Sequence, residues 1–187
     1  MNTDTKSTFT FTIRDIIEIA IFVSIAVILD TFVKIPVTAT GGSVNIATLP
    51  LFFIALDKRW FKGFIASGII FGLITCLLDG YGFVTYPLDY LLGFGSVCLL
   101  GFFSSLIKLE DGKAKFKSYL FLSLGVTLAF VVRFIASTIS GVVIYEVDIV
   151  GSMVYQLTYL IPSYIAVLLL INLLLELFLK FSKKRSV

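Results

Sequence analysis

Six stretches of apolar residues recur along the chain, separated by short polar segments. About 20 apolar residues in a helix cross the hydrocarbon core of a bilayer. Four of the stretches meet or approach that length, whereas the second and third are short and need tilt, flanking residues or a helix broken at Pro50. The pattern predicts six transmembrane helices, over residues 16–35, 46–56, 64–78, 90–107, 119–145 and 153–181.

Composition supports a membrane protein. The 187 residues are 58% apolar and only 14% charged, with a mean hydropathy of +1.04, whereas soluble domains are about a quarter charged. The N-terminus has no basic segment and small-residue cleavage site of the kind that marks a signal peptide. We therefore expect an all-α membrane protein, a six-transmembrane-helix bundle forming a single integral membrane domain over residues 1–187.

The basic residues predict the orientation of the bundle. One set of helix ends carries 13 lysines and arginines, whereas the opposite ends carry only Lys34 together with several acids. Because basic residues concentrate on the cytoplasmic side, both termini and the loops at 57–63 and 108–117 are expected to be cytoplasmic. The net charge of +3 then reflects topology and contact with anionic lipid headgroups of the bilayer, and indicates no nucleic-acid partner.

Several classes of chemistry have no residues to support them. The chain has no histidine, its two cysteines are isolated in apolar runs, and it contains no phosphate-binding G-x-x-x-x-G-K-[ST] loop. It also lacks paired catalytic carboxylates and a G-x-S-x-G motif, so an intramembrane enzyme is disfavoured and no metal or cofactor is expected. No internal repeat of the kind found in many secondary transporters is visible. A binding subunit, a small channel or a stand-alone facilitator of solute passage stay open.

Polar and aromatic residues crowd the segment between the third and fourth predicted helices. This segment, D-G-Y-G-F-V-T-Y-P-L-D-Y, contains Tyr81, Tyr86 and the pair Asp89–Tyr90. A tyrosine alone at this depth is typical of an interfacial anchor. A carboxylate leading into an apolar helix is costly unless it is paired or hydrated, so Asp89 and Tyr90 are the first candidates for a ligand site.

The last two predicted helices carry further candidates. Arg133 stands midway along the fifth helix, with Ser137 one turn later on the same face, and an ion pair with Asp89 competes with ligand contact as its role. Tyr155 and Tyr159 share a face of the sixth helix, with Gln156 facing elsewhere, and such a pair serves either packing or the binding of a flat ring. Pro162 has the potential to kink this helix.

A glycine-bearing loop precedes the second predicted helix. Gly41 and Gly42 allow backbone angles that other residues avoid, so the loop serves either as a plain connection or as a lid over a pocket. Acid, arginine, hydroxyls and tyrosines gather beneath it. Together they predict a pocket for a small, flat, polar solute.

The chain resembles the substrate-binding S components of energy-coupling factor (ECF) vitamin transporters, most closely the thiamine-specific kind. The likeness spans nearly the whole chain and rests on apolar motifs and on P-L-D-Y-L-L-G-F at 87–94, R-F-I-A-S-T-I-S-G at 133–141 and Y-Q-L-T-Y at 155–159. It implies a plasma-membrane subunit without catalytic activity that captures a vitamin outside the cell. It also implies docking on a transmembrane coupling subunit served by two cytoplasmic ATPases, through a small-x-x-x-small face that here reads Ala20 and Ser24.

The resemblance implies ligand contacts position by position. Asp89–Tyr90 matches the family's acidic–Tyr pair with Asp in place of Glu, and Arg133 matches the basic residue of helix five. Tyr155 and Tyr81 match pocket tyrosines. Four family residues are replaced: a His by Ser137, a Trp by Tyr145, an Asn by Leu160, and the Trp of the first loop by Ala39 or Thr40. The expected ligand is a thiamine-like vitamin, with a derivative, a precursor or another water-soluble vitamin as the alternative.

Overall fold

The computed structural model describes residues 10–37, 42–110 and 112–185. Their main elements are five helical stretches and two short hairpins. In chain order they are α1 (Ile13–Phe32), β1 (Ile35–Pro36), β2 (Ser43–Val44), α2 (Thr48–Asp79), α3 (Phe83–Phe103), β3 (Leu109–Glu110), β4 (Lys113–Ala114), α4 (Phe116–Val143) and α5 (Ile149–Arg185). The strands pair antiparallel, β1 with β2 and β3 with β4.

The helical stretch α2 consists of two helices that meet at a kink at Arg59, between the second and third predicted helices. Arg59 has φ 69° and ψ 179°, far from helical values. A Cβ built on Gly63 would lie 2.9 Å from the Cβ of Ala55, although residues eight apart in a straight helix are about 12 Å apart. The stretch therefore folds back sharply on itself. The bounds give five helical stretches among the described residues, so the predicted count of six is not confirmed.

Two prolines lie within helical stretches without ending them. Pro50 lies in the first turn of α2, where backbone N–H groups have no partner within the helix, so the break falls at Arg59 and the alternative of a helix broken at Pro50 is wrong. The helix α5 continues through Pro162 from Ile149 to Arg185.

The irregular helix α3 begins earlier than predicted. It starts at Phe83 instead of residue 90 and combines short 3₁₀, π and α segments. One π segment, Tyr86–Leu92, contains Asp89, which therefore lies inside the helical stretch rather than before it. Such π turns are frequent at functional sites because they redirect side chains.

The bundle has an apolar centre and an apolar outside. Leu51, Phe52, Leu100 and Leu122 are fully buried, and the ring of Phe52 stacks on Phe130 of α4 at 6.4 Å. Many large apolar side chains of α1, α4 and α5 are nevertheless exposed. The helices α2, α3, α4 and α5 are long and apolar enough to cross a membrane. Lipid chains suit these outward faces as solvent.

A network of charges closes one end of the bundle. The Lys62 ammonium lies 2.9 Å from Asp15 of α1, and Lys58 lies 3.0 Å from Asp15 and 2.5 Å from Glu18. The side chain of Thr12 accepts from the backbone of Asp15, which caps α1. The network ties the start of α1 to the bend in α2. Close by in the chain, Trp60 stacks on Phe102 at 5.5 Å.

Candidate ligand-binding site

A cavity of about 560 Å³ opens at the end of the bundle where α1 finishes. Its volume falls in the range of small-molecule sites. The end of α1, the β1–β2 hairpin, the end of α2, and α3, α4 and α5 all contribute to its wall. The lining side chains and backbone belong to Asp30, Lys34, Gly42, Ser43, Asn45, Asp79, Tyr81, Asp89, Tyr90, Phe94, Arg133, Ser137, Gly141, Tyr145, Val147, Gly151, Ser152, Tyr155, Gln156 and Tyr159.

Asp89 enters the cavity from the π segment of α3. The hydroxyl of Ser140 on α4 donates to its carboxylate, and Ser137 lies one turn earlier beside the same group. Hydroxyl donors stabilise a carboxylate that burial would otherwise disfavour. The sequence placed Asp89 and Ser137 at one site, and the structure brings them together.

Arg133 lies over an aromatic ring instead of against an acid. Its guanidinium carbon is 4.2 Å from the ring centroid of Phe94, a cation–π distance. Among the described residues, no carboxylate lies within 4.0 Å of it, and its buried Nε has no hydrogen-bond partner. The interpretation of an ion pair with Asp89 is therefore wrong. The arginine is left facing the cavity.

The tyrosines of α5 form an aromatic wall. The rings of Tyr155 and Tyr159 are 5.7 Å apart and nearly perpendicular, as their four-residue spacing predicts. Gln156 was expected to face elsewhere, yet it also lines the cavity. Its amide donates to the carbonyl of Ser137 at 3.1 Å, and its oxygen accepts from the Tyr159 hydroxyl. The cavity therefore wraps around more than one face of α5.

The first loop reaches the aromatic wall through Gly42. A Cβ on this glycine would lie 2.7 Å from the ring of Tyr159 and 3.2 Å from the Tyr155 hydroxyl, so a side chain would displace one of them. Gly41 lies outside the described residues, as do Ala39 and Thr40. After the hairpin, Asn45 donates to Asp30 at 2.9 Å and its backbone N–H donates to Ser163 at 3.2 Å. These bonds join α1, the hairpin and α5 at the cavity.

Two lining residues meet at the carboxylate of a third, Asp79, which is the last residue of α2. The Tyr90 hydroxyl donates to one oxygen at 3.0 Å, and the Lys34 ammonium lies 3.5 Å from the other. Tyr90 is buried, whereas Lys34 and Asp79 are partly exposed. The cluster links the end of α1, the end of α2 and the π segment of α3.

Tyr81 and Tyr145 stand at the more exposed part of the wall. Tyr145 follows the end of α4, and its partial burial together with the nearby Asp89 carboxylate raises its pKa above the usual range. The phenol therefore stays protonated at neutral pH. It can donate a hydrogen bond to a ligand.

Some predicted residues lie away from the cavity. Tyr86 does not line it: its hydroxyl donates to the carbonyl of Gly68 at 3.3 Å and its ring stacks on Phe83 at 5.1 Å. Tyr86 therefore contributes to packing, although it lies only three residues before Asp89. Ala20 and Ser24 are both exposed near the middle of α1, before Asp30.

The sequence interpretation missed several lining residues. Asp30 was noted only as an acid at a helix end, although it is buried at the cavity beside Asn45. A carboxylate within an apolar run was the available signal, the same signal that identified Asp89. Ser43, Asn45, Phe94, Val147, Gly151 and Ser152 carried no signal of this kind.

Comparison with known proteins identifies the family. A family model described as "Thiamine transporter protein (Thia_YuaJ)" matches residues 16–186. The chain belongs to the thiamine transporter family. It is 32% identical over 176 residues to the "Thiamine transporter ThiT" of Bacillus subtilis (strain 168), covering 85% of this chain and 88% of that protein. The solved structure of ThiT from Listeria monocytogenes matches with a TM-score of 0.69 and 20% identity over 91% of this chain and 96% of that one, which shows a shared fold.

Family membership confirms the resemblance to thiamine-specific S components. This member of the thiamine transporter family is a multi-pass protein of the plasma membrane and not an enzyme, as the sequence predicted. The fold is a helical membrane bundle.

Proposed function

We propose that this protein is the membrane subunit that captures thiamine, or a closely related vitamin, in the cavity at the end of α1. The observation that carries the proposal is the cavity itself, where Asp89 and the tyrosine wall of α5 face one space of about 560 Å³. A relative that is 32% identical is named a thiamine transporter. The proposed role requires only that the subunit bind and release the vitamin, so no catalytic group is needed.

The chemistry of the wall suits a flat, positively charged ligand. Thiamine consists of an aminopyrimidine joined to a cationic thiazolium ring. The carboxylate of Asp89 attracts the positive charge, and Tyr155 and Tyr159 present ring faces and edges to either ring. Ser137 and Gln156 supply hydrogen-bonding groups within reach of the same space.

Arg133 adds a recognition group of opposite sign. Among the described residues, no acid lies within 4.0 Å of its guanidinium. The guanidinium therefore favours a hydrogen-bond acceptor on the ligand, such as a ring nitrogen or a hydroxyl. Tyr81, Tyr90 and Tyr145 complete the proposed contacts.

We further propose that uptake requires an ECF module, made of a transmembrane coupling subunit and two cytoplasmic ATPases. Ala20 and Ser24 are exposed on α1 among large isoleucines, and small residues of this kind let a partner helix approach closely. Because basic residues concentrate on the cytoplasmic side, we assign both termini and the charge network at the start of α1 to that side. The cavity at the other end of α1 then opens on the outer side.

Binding by the purified protein tests the proposal. Titration calorimetry with thiamine should give a saturable one-to-one heat, and mass spectrometry of the protein purified without added vitamin should identify thiamine or a relative as the bound compound. A protein that binds no thiamine, its phosphates or its pyrimidine precursor would contradict the proposed ligand class.

Reconstitution separates a dependent binding subunit from a stand-alone facilitator. Proteoliposomes that contain this chain alone should not accumulate thiamine against a gradient, whereas addition of the coupling subunit, the ATPases and ATP should produce accumulation. Concentrative uptake by the chain alone would contradict the dependence on an ECF module.

A further inference from the structure

The charged residues of the cavity wall do not balance. The lining holds three acids, Asp30, Asp79 and Asp89, and two bases, Lys34 and Arg133, so three negative and two positive groups leave a formal charge of −1 among the described residues. The proposed recognition of the vitamin uses Asp89 and Arg133. The cluster of Lys34, Asp79 and Tyr90 has no role in it beyond the ring of Tyr90.

The geometry of this cluster fixes two opposite charges at the cavity wall. Lys34 lies two residues beyond the end of α1, and its ammonium is 3.5 Å from Asp79 at the end of α2. The second oxygen of Asp79 accepts from the hydroxyl of the buried Tyr90 at 3.0 Å. The carboxylate is therefore held from two sides, which keeps it against Lys34.

Partial exposure of the pair gives it influence over an entering ligand. The side chains of Lys34 and Asp79 are 36% and 26% exposed, so they stand where the cavity meets water. Each charge alone would act on a charged ligand over several ångströms, because attraction and repulsion decay slowly with distance at low ionic strength. As a pair, the two largely cancel.

We propose that the Lys34–Asp79 pair, held by Tyr90, determines the charge selectivity of the cavity. This inference rests on the proposed function. With the pair intact its charges cancel, and Asp30, Asp89 and Arg133 together leave the cavity negative, so a cationic vitamin is preferred over a form that carries phosphate. Loss of either partner leaves the other charge uncompensated, and the preference shifts in a direction set by the charge that remains.

The ratio of two dissociation constants measures this selectivity. Thiamine and thiamine monophosphate share both rings and differ by one phosphate anion, so the ratio cancels losses of packing that affect both. Lys34→Met should increase the preference for thiamine about two- to fivefold, and Asp79→Asn should decrease it by a similar factor, the size expected for a partly exposed ion pair. The double variant Lys34→Met/Asp79→Asn should return the ratio towards the wild-type value.

Conservative and distant variants serve as controls. Lys34→Arg and Asp79→Glu keep the charges and should keep the ratio, whereas Lys113→Met removes a lysine from the exposed β3–β4 hairpin and should not change it. Lys34→Glu reverses one charge and should exceed the effect of Lys34→Met, so the lysine series alone decides the matter if an Asp79 variant fails to fold. High salt should shrink all the shifts.

The outcomes separate this inference from the proposed function. Shifts of opposite sign in the two single variants support it, because a purely structural defect would move both in the same direction. Equal ratios in all variants, or shifts of the same sign, overturn the inference. The proposed function still stands in that case, provided that the wild-type protein binds thiamine. A wild-type protein that binds neither compound overturns both.

Discussion

At the scale of single residues, the site differs from the sequence prediction mainly in the partners of its charges. An ion pair with Arg133 was one of the two alternatives left open for Asp89, but its carboxylate accepts from a serine hydroxyl of α4. Arg133 lies over Phe94, and Asp79 pairs with Lys34. Each change of partner alters what a substitution is expected to do.

Replacement of Asp89 by asparagine should weaken thiamine binding by about 1–3 kcal/mol, the range for a hydrogen bond or contact that involves a charged group. The shape of the side chain is kept, so the loss reports its charge. Titration calorimetry measures it, with Glu110→Gln in the exposed β3–β4 hairpin as the control. Unchanged affinity would remove Asp89 from the site.

Replacement of Arg133 by methionine should lower ligand affinity without lowering the melting temperature of the ligand-free protein. Since no described acid lies within 4.0 Å of the guanidinium, its loss breaks no direct ion pair, and it removes the cost of burying a charge. Thermal unfolding in detergent, measured without and with thiamine, checks both expectations. A marked drop in the melting temperature of the ligand-free variant would indicate a structural role instead.

At the scale of elements, the helices were easier to predict than their joints. The apolar runs located the bodies of all five helical stretches, because burial and lipid contact both require continuous apolar residues. The bend at Arg59 falls within the loop predicted at 57–63, but its sharp geometry escaped prediction because a positive φ at an arginine has no signature in the hydrophobic pattern. The early start of α3 escaped it because a π segment does not follow the period of an α-helix.

The same reasoning explains which site residues were found. Asp89, Arg133 and the tyrosines stood out because polar groups are rare in apolar runs. Gln156 was assigned to another face because the sixth predicted helix was assumed to present a single face to the pocket. The cavity instead contacts more than one face at the start of α5. Asn45 and Ser152 lie in polar segments, where their residue types are ordinary. Only tertiary structure shows that they share a wall.

Replacement of Lys62 by methionine should destabilise the protein by about 2 kcal/mol. The variant leaves the buried Asp15 with Lys58 as its remaining cationic partner, and loss of one member of a buried ion pair is costly. Lys115→Met is the matched control, because its pair with Glu110 is exposed and should contribute little. Thermal unfolding of the two variants in the same detergent compares them directly, and equal stability would show that the network contributes nothing.

At the scale of the whole molecule, the proposed binding site and the proposed coupling face occupy different parts of the bundle. The cavity lies where α1 ends, and the exposed Ala20 and Ser24 lie earlier in the same helix. Asp15 and Asp30 mark the two ends of α1 and are about 22 Å apart along its axis. Substitutions on the outer face of α1 should therefore affect assembly and leave the cavity intact.

Ala20→Trp or Ser24→Trp should abolish thiamine uptake by cells while the purified variant keeps its affinity for thiamine. The bulky ring prevents close approach of a partner helix. Ile25→Trp is the matched control, because it introduces the same ring at another exposed position of α1. Uptake and binding must be measured on the same variants; loss of affinity in step with uptake would place this face in the ligand site.

The stacking of Trp60 on Phe102 has a practical consequence for fluorescence. Trp60 is the only tryptophan of the chain, and it lies one residue beyond the bend in α2, on the order of 25 Å along the helix from Asp79 at the cavity. Ligand in the cavity should leave its emission nearly unchanged. The intrinsic emission of the native chain thus becomes a reporter of the end of the bundle that carries Trp60, so changes at that end can be followed in the presence of saturating vitamin.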